Sequence, residues 1–101
     1  MNKLIIDVAS KKIFLMIITN NDIYNIIYEN TKINYEKLTT IINDFLKTKN
    51  LEIKDIIKIY VNRGPGSFAG IRNSLSVVKA FNIAKNIDYY CYSLGDFKDE
   101  E

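Results

Sequence analysis

The sequence predicts an α/β fold built on one five-stranded mixed sheet. Three observations carry that prediction. Three short apolar runs, residues 3–8, 13–19 and 23–29, follow one another with only turn residues between them. Two stretches of helical periodicity then alternate with two further runs rich in β-branched and aromatic residues. A turn holding three of the four glycines and the sole proline, residues 62–74, leads from the fourth run into the second helix. The predicted order is a three-strand meander followed by α-β-α-β.

Residues 3–8 read as a buried first strand, and residues 9–12 as a turn. Residues 13–19 are almost continuously apolar and form the second strand. Asn20, Asn21 and Asp22 tolerate left-handed backbone and mark a hairpin turn. Residues 23–29 make the third strand, partly exposed at Asn25 and Glu29. The first helix is expected over residues 35–49 with Asn34 as its cap. Tyr35, Leu38, Ile41, Ile42, Phe45 and Leu46 share one of its faces, and Asn50 ends it in a left-handed conformation. Residues 51–55 connect to the fourth strand, 56–61.

The turn Asn62-Arg63-Gly64-Pro65-Gly66-Ser67-Phe68-Ala69-Gly70-Ile71-Arg72-Asn73-Ser74 is expected to be tight. Gly64 and Gly66 admit backbone angles closed to other residues, Pro65 fixes its own φ, and Ser67 is placed to cap the helix that follows. Such a turn is expected to aim free backbone amides outward, as phosphate-binding loops do. It lacks the Gly-Lys-Ser/Thr of a Walker A loop. It fits a dinucleotide fingerprint loosely, through Gly64, Gly66 and Ala69, but late in the chain and without an acid ending the next strand.

The second helix, about residues 70–86, carries two apolar arcs. Val77, Ala80, Phe81 and Ala84 form one; Ile71, Leu75 and Val78 form the other. One arc can face the sheet, so the other is expected to seek a neighbour. Ile71, Leu75 and Val78, with Tyr35, Leu38 and Ile42 of the first helix, are the expected partner interface. Residues 88–93 form the fifth strand. Its Tyr89, Tyr90 and Tyr92 fit an edge strand of high β-propensity better than a base-stacking stripe. Residues 1–94 are expected to form the lobe, and 95–101 a short acidic tail.

Composition narrows the chemistry. At 101 residues the chain is one domain, with a hydrophobic fraction of 48% and a net charge of +2 that implies no strong nucleic-acid or membrane field. There is no histidine, which removes Ser-His and Cys-His catalysis and histidine metal sites. Cys91 is the sole cysteine, so no internal disulfide forms, and it is expected to be a buried, inert thiol. No apolar run approaches the ~20 residues of a membrane span. Residues 1–7 show no signal-peptide core, so a cytoplasmic location is expected. No metal site, cofactor or catalytic residue is expected.

The turn from Asn62 to Ser74 resembles the "GRGPGSFTGxRxG" signature of the TsaB (YeaZ) family, whose members are non-catalytic partners of the enzyme that makes threonylcarbamoyladenosine in tRNA. Gly64, Pro65, Gly66, Ser67, Phe68, Gly70 and Arg72 match the signature. Ala69 stands where the family usually has Thr, and Asn73-Ser74 where it often has Ile-Gly. The order of elements is that of the ribonuclease-H-like lobe of the actin/Hsp70/sugar-kinase superfamily, and the resemblance implies the same fold. It covers nearly the whole chain but less than half of a usual family member.

The resemblance implies a scaffold subunit for N6-threonylcarbamoyladenosine (t6A) modification of tRNA. Its partner would be a TsaD/Kae1-type catalytic subunit bound through the helices, with a TsaE-type ATPase and tRNA completing the system and homodimers forming in isolation. Active members of the superfamily wrap phosphate with an Asp followed by Gly-Thr/Ser in the first hairpin. Here the corresponding residues are Asp7-Val8-Ala9-Ser10; Ala9 replaces the glycine, and Asp7 is expected to cap its own turn. ATP hydrolysis by this chain alone is therefore not expected. Two rival readings stand: a small nucleotide- or dinucleotide-binding enzyme using the Gly64–Gly66 turn, and a homodimeric remnant or regulatory protein without a tRNA role.

Overall fold

The computed structural model describes residues 1–93; the expected tail, 95–101, and the proposed lobe boundary at Leu94 lie outside them. The chain begins with three strands, β1 (Asn2–Asp7), β2 (Lys12–Ile18) and β3 (Ile23–Glu29). Two helices follow, α1 (Lys32–Glu36) and α2 (Leu38–Thr48), and then a 3₁₀ turn over Ile53–Asp55. Strand β4 (Ile56–Asn62), helix α3 (Phe68–Lys85) and strand β5 (Asp88–Tyr92) complete it. The sheet order is β3-β2-β1-β4-β5. β1 pairs antiparallel with β2 and parallel with β4, β2 pairs antiparallel with β3, and β4 pairs parallel with β5. This is the five-stranded mixed sheet that the sequence predicts.

Period-two alternation decides which side chains enter the core. Leu4, Ile6 and Val8 on the β1 side, Ile13, Leu15 and Ile17 of β2, and Ile59 and Val61 of β4 are fully buried. They form one cluster with Leu38, Ile41, Ile42, Phe45 and Leu46 of α2 and with Val78 and Phe81 of α3. The helices therefore pack on one face of the sheet.

The predicted first helix is two helices. Thr31, not Asn34, caps α1, its side chain accepting from the Asn34 amide at 3.3 Å. The Asn34 side chain instead donates to the Glu29 carbonyl at 2.8 Å, tying α1 to the end of β3. Lys37, at φ −98° and ψ 17°, interrupts the helical run before α2 starts. Asn50 is left-handed, with φ 59°, as its position predicts, and Asn86, with φ 56°, ends α3 in the same way.

Cys91 departs from expectation: it is exposed. β5 is an edge strand, and among the described residues no strand pairs outside it. No described helix is long and apolar enough to cross a membrane.

Candidate functional site: the glycine-rich turn and the outer helical surface

The turn between β4 and α3 sits directly on the hairpin between β1 and β2. The Ser67 amide donates to the Ala9 carbonyl at 2.7 Å. A Cβ on Gly66 would overlap that same carbonyl oxygen, and one on Gly70 would overlap the carbonyl oxygen of Val8. These two positions are glycine because two backbones touch there. Gly64 has a different reason: its φ is 110°, a conformation that side chains with a Cβ rarely adopt. The Gly64–Pro65 peptide bond is cis.

Three amides of the turn are already satisfied within the chain. The Gly64 amide donates to Asn62 Oδ1 at 2.8 Å, a buried contact. The Gly70 amide donates to Ser67 Oγ at 3.2 Å, so Ser67 is the N-cap of α3 as predicted. The Ser67 amide is taken by Ala9. The outward-facing free amides that the sequence suggests are therefore not available at these positions, and the turn is a structural joint between hairpin and helix. Asp7 Oδ1 accepts from the Ala9 amide at 3.0 Å, so it caps its own turn.

One contributor escaped the sequence reading. Asn30 donates its side-chain amide to the carbonyls of Val8, at 3.0 Å, and Ser10, at 2.6 Å, bracing the hairpin from behind. Its one signal was an Asn directly after a strand, which is too common to single out.

The proposed partner residues do not stand together on a surface. Leu38, Ile42 and Val78 are wholly buried in the chain's own core. Tyr35 and Leu75 are partly buried and pack against it. Ile71 is partly buried, and its Cδ1 would lie 2.9 Å from a Cβ built on Gly64. Each arc of α3 sends one side chain into the core, Val78 from one and Phe81 from the other, while Ala80 and Ala84 are exposed; Gly70 and Ser74 are buried as well. The expectation of a spare apolar arc through Leu75 and Val78 is thus corrected.

The outer surface of α3 carries other residues. Phe68 is 76% exposed and Ile83 is 83% exposed, with Arg72 between them along the helix. The Arg72 guanidinium lies over the Phe68 ring, 5.4 Å from its centroid. Ile33 of α1, 68% exposed, adds a third large apolar side chain to the helical layer. Among the described residues no group of three His, Cys, Asp and Glu side chains gathers in metal-binding geometry.

On the other side of the sheet, Tyr92 has its phenol pushed up to about 12, first by burial and then by the negative charge of Asp7. Tyr24 is raised as well, chiefly by its hydrogen bond to Asp22.

A meander sheet of order 3-2-1-4-5 with its helices on one face, and a glycine turn seated on the first hairpin, define a ribonuclease-H-like lobe of the actin/Hsp70/sugar-kinase type. Solved structures agree. YeaZ from Pseudomonas aeruginosa superposes with a TM-score of 0.83 at 16% identity, over 98% of this chain and 49% of that one. An uncharacterised protein described as similar to peptidase YEAZ from Pseudomonas aeruginosa gives 0.83 at 18% identity, over 91% and 43%. RuvC of T. thermophilus, in complex with a Holliday junction substrate, gives 0.63 at 10% identity, over 97% and 68%.

The model of the family described as TsaD, tRNA N6-adenosine threonylcarbamoyltransferase, matches residues 29–93, and the chain belongs to that family. It resembles YeaZ (TsaB) in fold while spanning about half the length of the YeaZ structures, 49% and 43%. No curated protein matches the chain.

Proposed function

We propose that this chain is a non-catalytic scaffold subunit in t6A modification of tRNA, acting in the cytoplasm and binding a TsaD/Kae1-type catalytic subunit through its helical layer. A TsaE-type ATPase and tRNA would join through the complex. The observation that carries the reading is the use made of the signature turn. Gly66, Ser67 and Gly70 spend their backbone on the β1–β2 hairpin rather than holding it open for a phosphate. A turn so built presents α3 rigidly and leaves its outer side, Phe68, Arg72 and Ile83, as the surface offered to a partner. Large exposed apolar side chains beside an arginine are the composition of interface anchors. Membership of the family and the YeaZ-like fold support the choice of partner.

The test is co-purification with the TsaD-type subunit of the same cell, both chains expressed together. Wild type should co-elute with it. Phe68→Asp and Ile83→Glu each place a charge on the outer surface, so they should stay folded by circular dichroism while their affinity falls by about tenfold or more, as expected when an anchor is lost. A wild-type chain that never co-elutes would overturn the reading, and so would full binding by both variants.

A further inference from the structure

The outer side of α3 carries a charge pattern as well as an apolar one. Phe68, Arg72, Ser76, Lys79 and Ile83 are all exposed. They follow one another at steps of three or four residues, which sets them on one side of the helix. At roughly 100° per residue they fall within a sector of about 80°, opposite the buried Gly70, Ser74, Val78 and Phe81. The stripe is about 22 Å long at the rise of an α-helix. Its order is apolar, basic, small, basic, apolar. None of the 18 residues of α3 is acidic. A helix can answer its own cations with carboxylates one turn away, and α1 does so through Lys32 and Glu36, 3.8 Å apart. On α3 neither Arg72 nor Lys79 forms an ion pair among the described residues.

Arg72 is steadied by the Phe68 ring, over which its guanidinium lies. A guanidinium that covers a ring with its face keeps its N–H edge, the edge that grips a carboxylate through two parallel hydrogen bonds. Midway along the stripe Ser76 offers little bulk, and its hydroxyl is turned back onto the Arg72 carbonyl at 3.0 Å. A partner helix can therefore approach to the ~8–10 Å of packed helices. A second α3 does not fit there. Laid antiparallel over Ser76 it sets Arg72 against Lys79 twice, and laid parallel it sets each base against its twin. Like charges facing one another across an interface exclude a partner. The occupant must carry acids where α3 carries bases. Taking the scaffold function as given, we propose that α3 selects its partner by charge: the catalytic subunit presents a helix with two Asp or Glu residues facing Arg72 and Lys79, and apolar contacts beyond them for Phe68 and Ile83. The two acids stand two turns apart, about 10 Å, as Arg72 and Lys79 do.

Calorimetric titration of the full chain with the purified TsaD-type subunit of the same cell tests this. Arg72→Glu and Lys79→Glu should each lower the affinity by about tenfold or more. Both positions are exposed, so both variants should keep the wild-type circular dichroism. Lys3→Glu makes the same change of charge on the face of the sheet away from the helices and should bind as wild type does. Raising the salt concentration should weaken wild-type binding and hardly move that of the double variant Arg72→Gln/Lys79→Gln. A zero-length carbodiimide, which joins amines to carboxylates, should link Lys79 to an Asp or Glu of the catalytic subunit. Charge reversals that bind like wild type, or a Lys3→Glu chain that loses as much as they do, would overturn the selection by charge and leave the scaffold function standing. A wild-type chain that does not bind the subunit at any salt concentration would overturn both.

Discussion

Gly66 lies far from Ala9 in sequence and against it in space. The sequence marks Gly66 as permissive and says nothing of what it touches. The structure gives the reason: a side chain there would occupy the position of the Ala9 carbonyl, which also accepts the Ser67 amide. Gly66→Val must therefore push the turn off the hairpin and should destabilise the fold by about 1–3 kcal/mol, as overpacking of a close-fitted site does. Urea unfolding measures this, and an unchanged midpoint would show that the two backbones separate freely. Tyr92 supplies a second test at this scale. Its phenol is held up to about 12 against an ordinary value of 10.0. A raised acid binds its proton more tightly in the folded state, so the folded protein is favoured in full below pH 10 and loses that advantage as pH climbs from 10 towards 12. Tyr92→Phe should flatten the alkaline loss of stability in that window. An identical alkaline limb in both chains would show that Tyr92 ionises no later in the folded state than in the unfolded one.

Elements were more legible than their neighbours. The five strands, the cap at Ser67 and the left-handed Asn50 follow from local chemistry, because alternation, a hydroxyl before a helix and an Asn after one act over a few residues. The break at Lys37 was not legible, since the apolar spacing runs straight through it from Tyr35 to Leu46. The larger miss concerns facing. Periodicity tells which residues share a side of a helix and not what that side meets. Helical spacing offers Leu38, Ile42 and Val78 as a surface for a partner, whereas the core that α2 and α3 form with the sheet absorbs all three. Small residues Gly70 and Ser74 let α3 settle deeply enough to bury parts of both its arcs. The outward residues, Phe68 and Ile83, broke the apolar pattern and for that reason went unread. Cys91 failed in the same way: an apolar strand suggests burial, but an edge strand does not supply it.

For the whole molecule, one of the two rival readings is nucleotide binding at the glycine turn, and the architecture argues against it. A phosphate held at a helix N-terminus needs unpaired amides and room for its oxygens. At the head of α3 the amides of Gly64, Ser67 and Gly70 are committed to Asn62, Ala9 and Ser67 Oγ. The room is taken as well, because the Gly66 backbone rests on Ala9 and that of Gly70 on Val8. Asp7, the carboxylate nearest this corner in the first hairpin, spends one oxygen on the Ala9 amide. Opening the pocket would mean lifting the turn from the hairpin and breaking the Ser67–Ala9 bond, a cost of about 1 kcal/mol for the bond alone, before any repacking of α3. Calorimetric titration of the 101-residue chain with ATP and magnesium should therefore show no binding, and phosphate release should match a buffer blank. Substituting Ala9 by glycine should change neither result, since the occupant of the corner is the turn and not the Ala9 methyl alone. Saturable ATP binding by the wild-type chain, abolished by Asp7→Ala, would show that the turn lifts readily and would restore the nucleotide-binding reading over the scaffold.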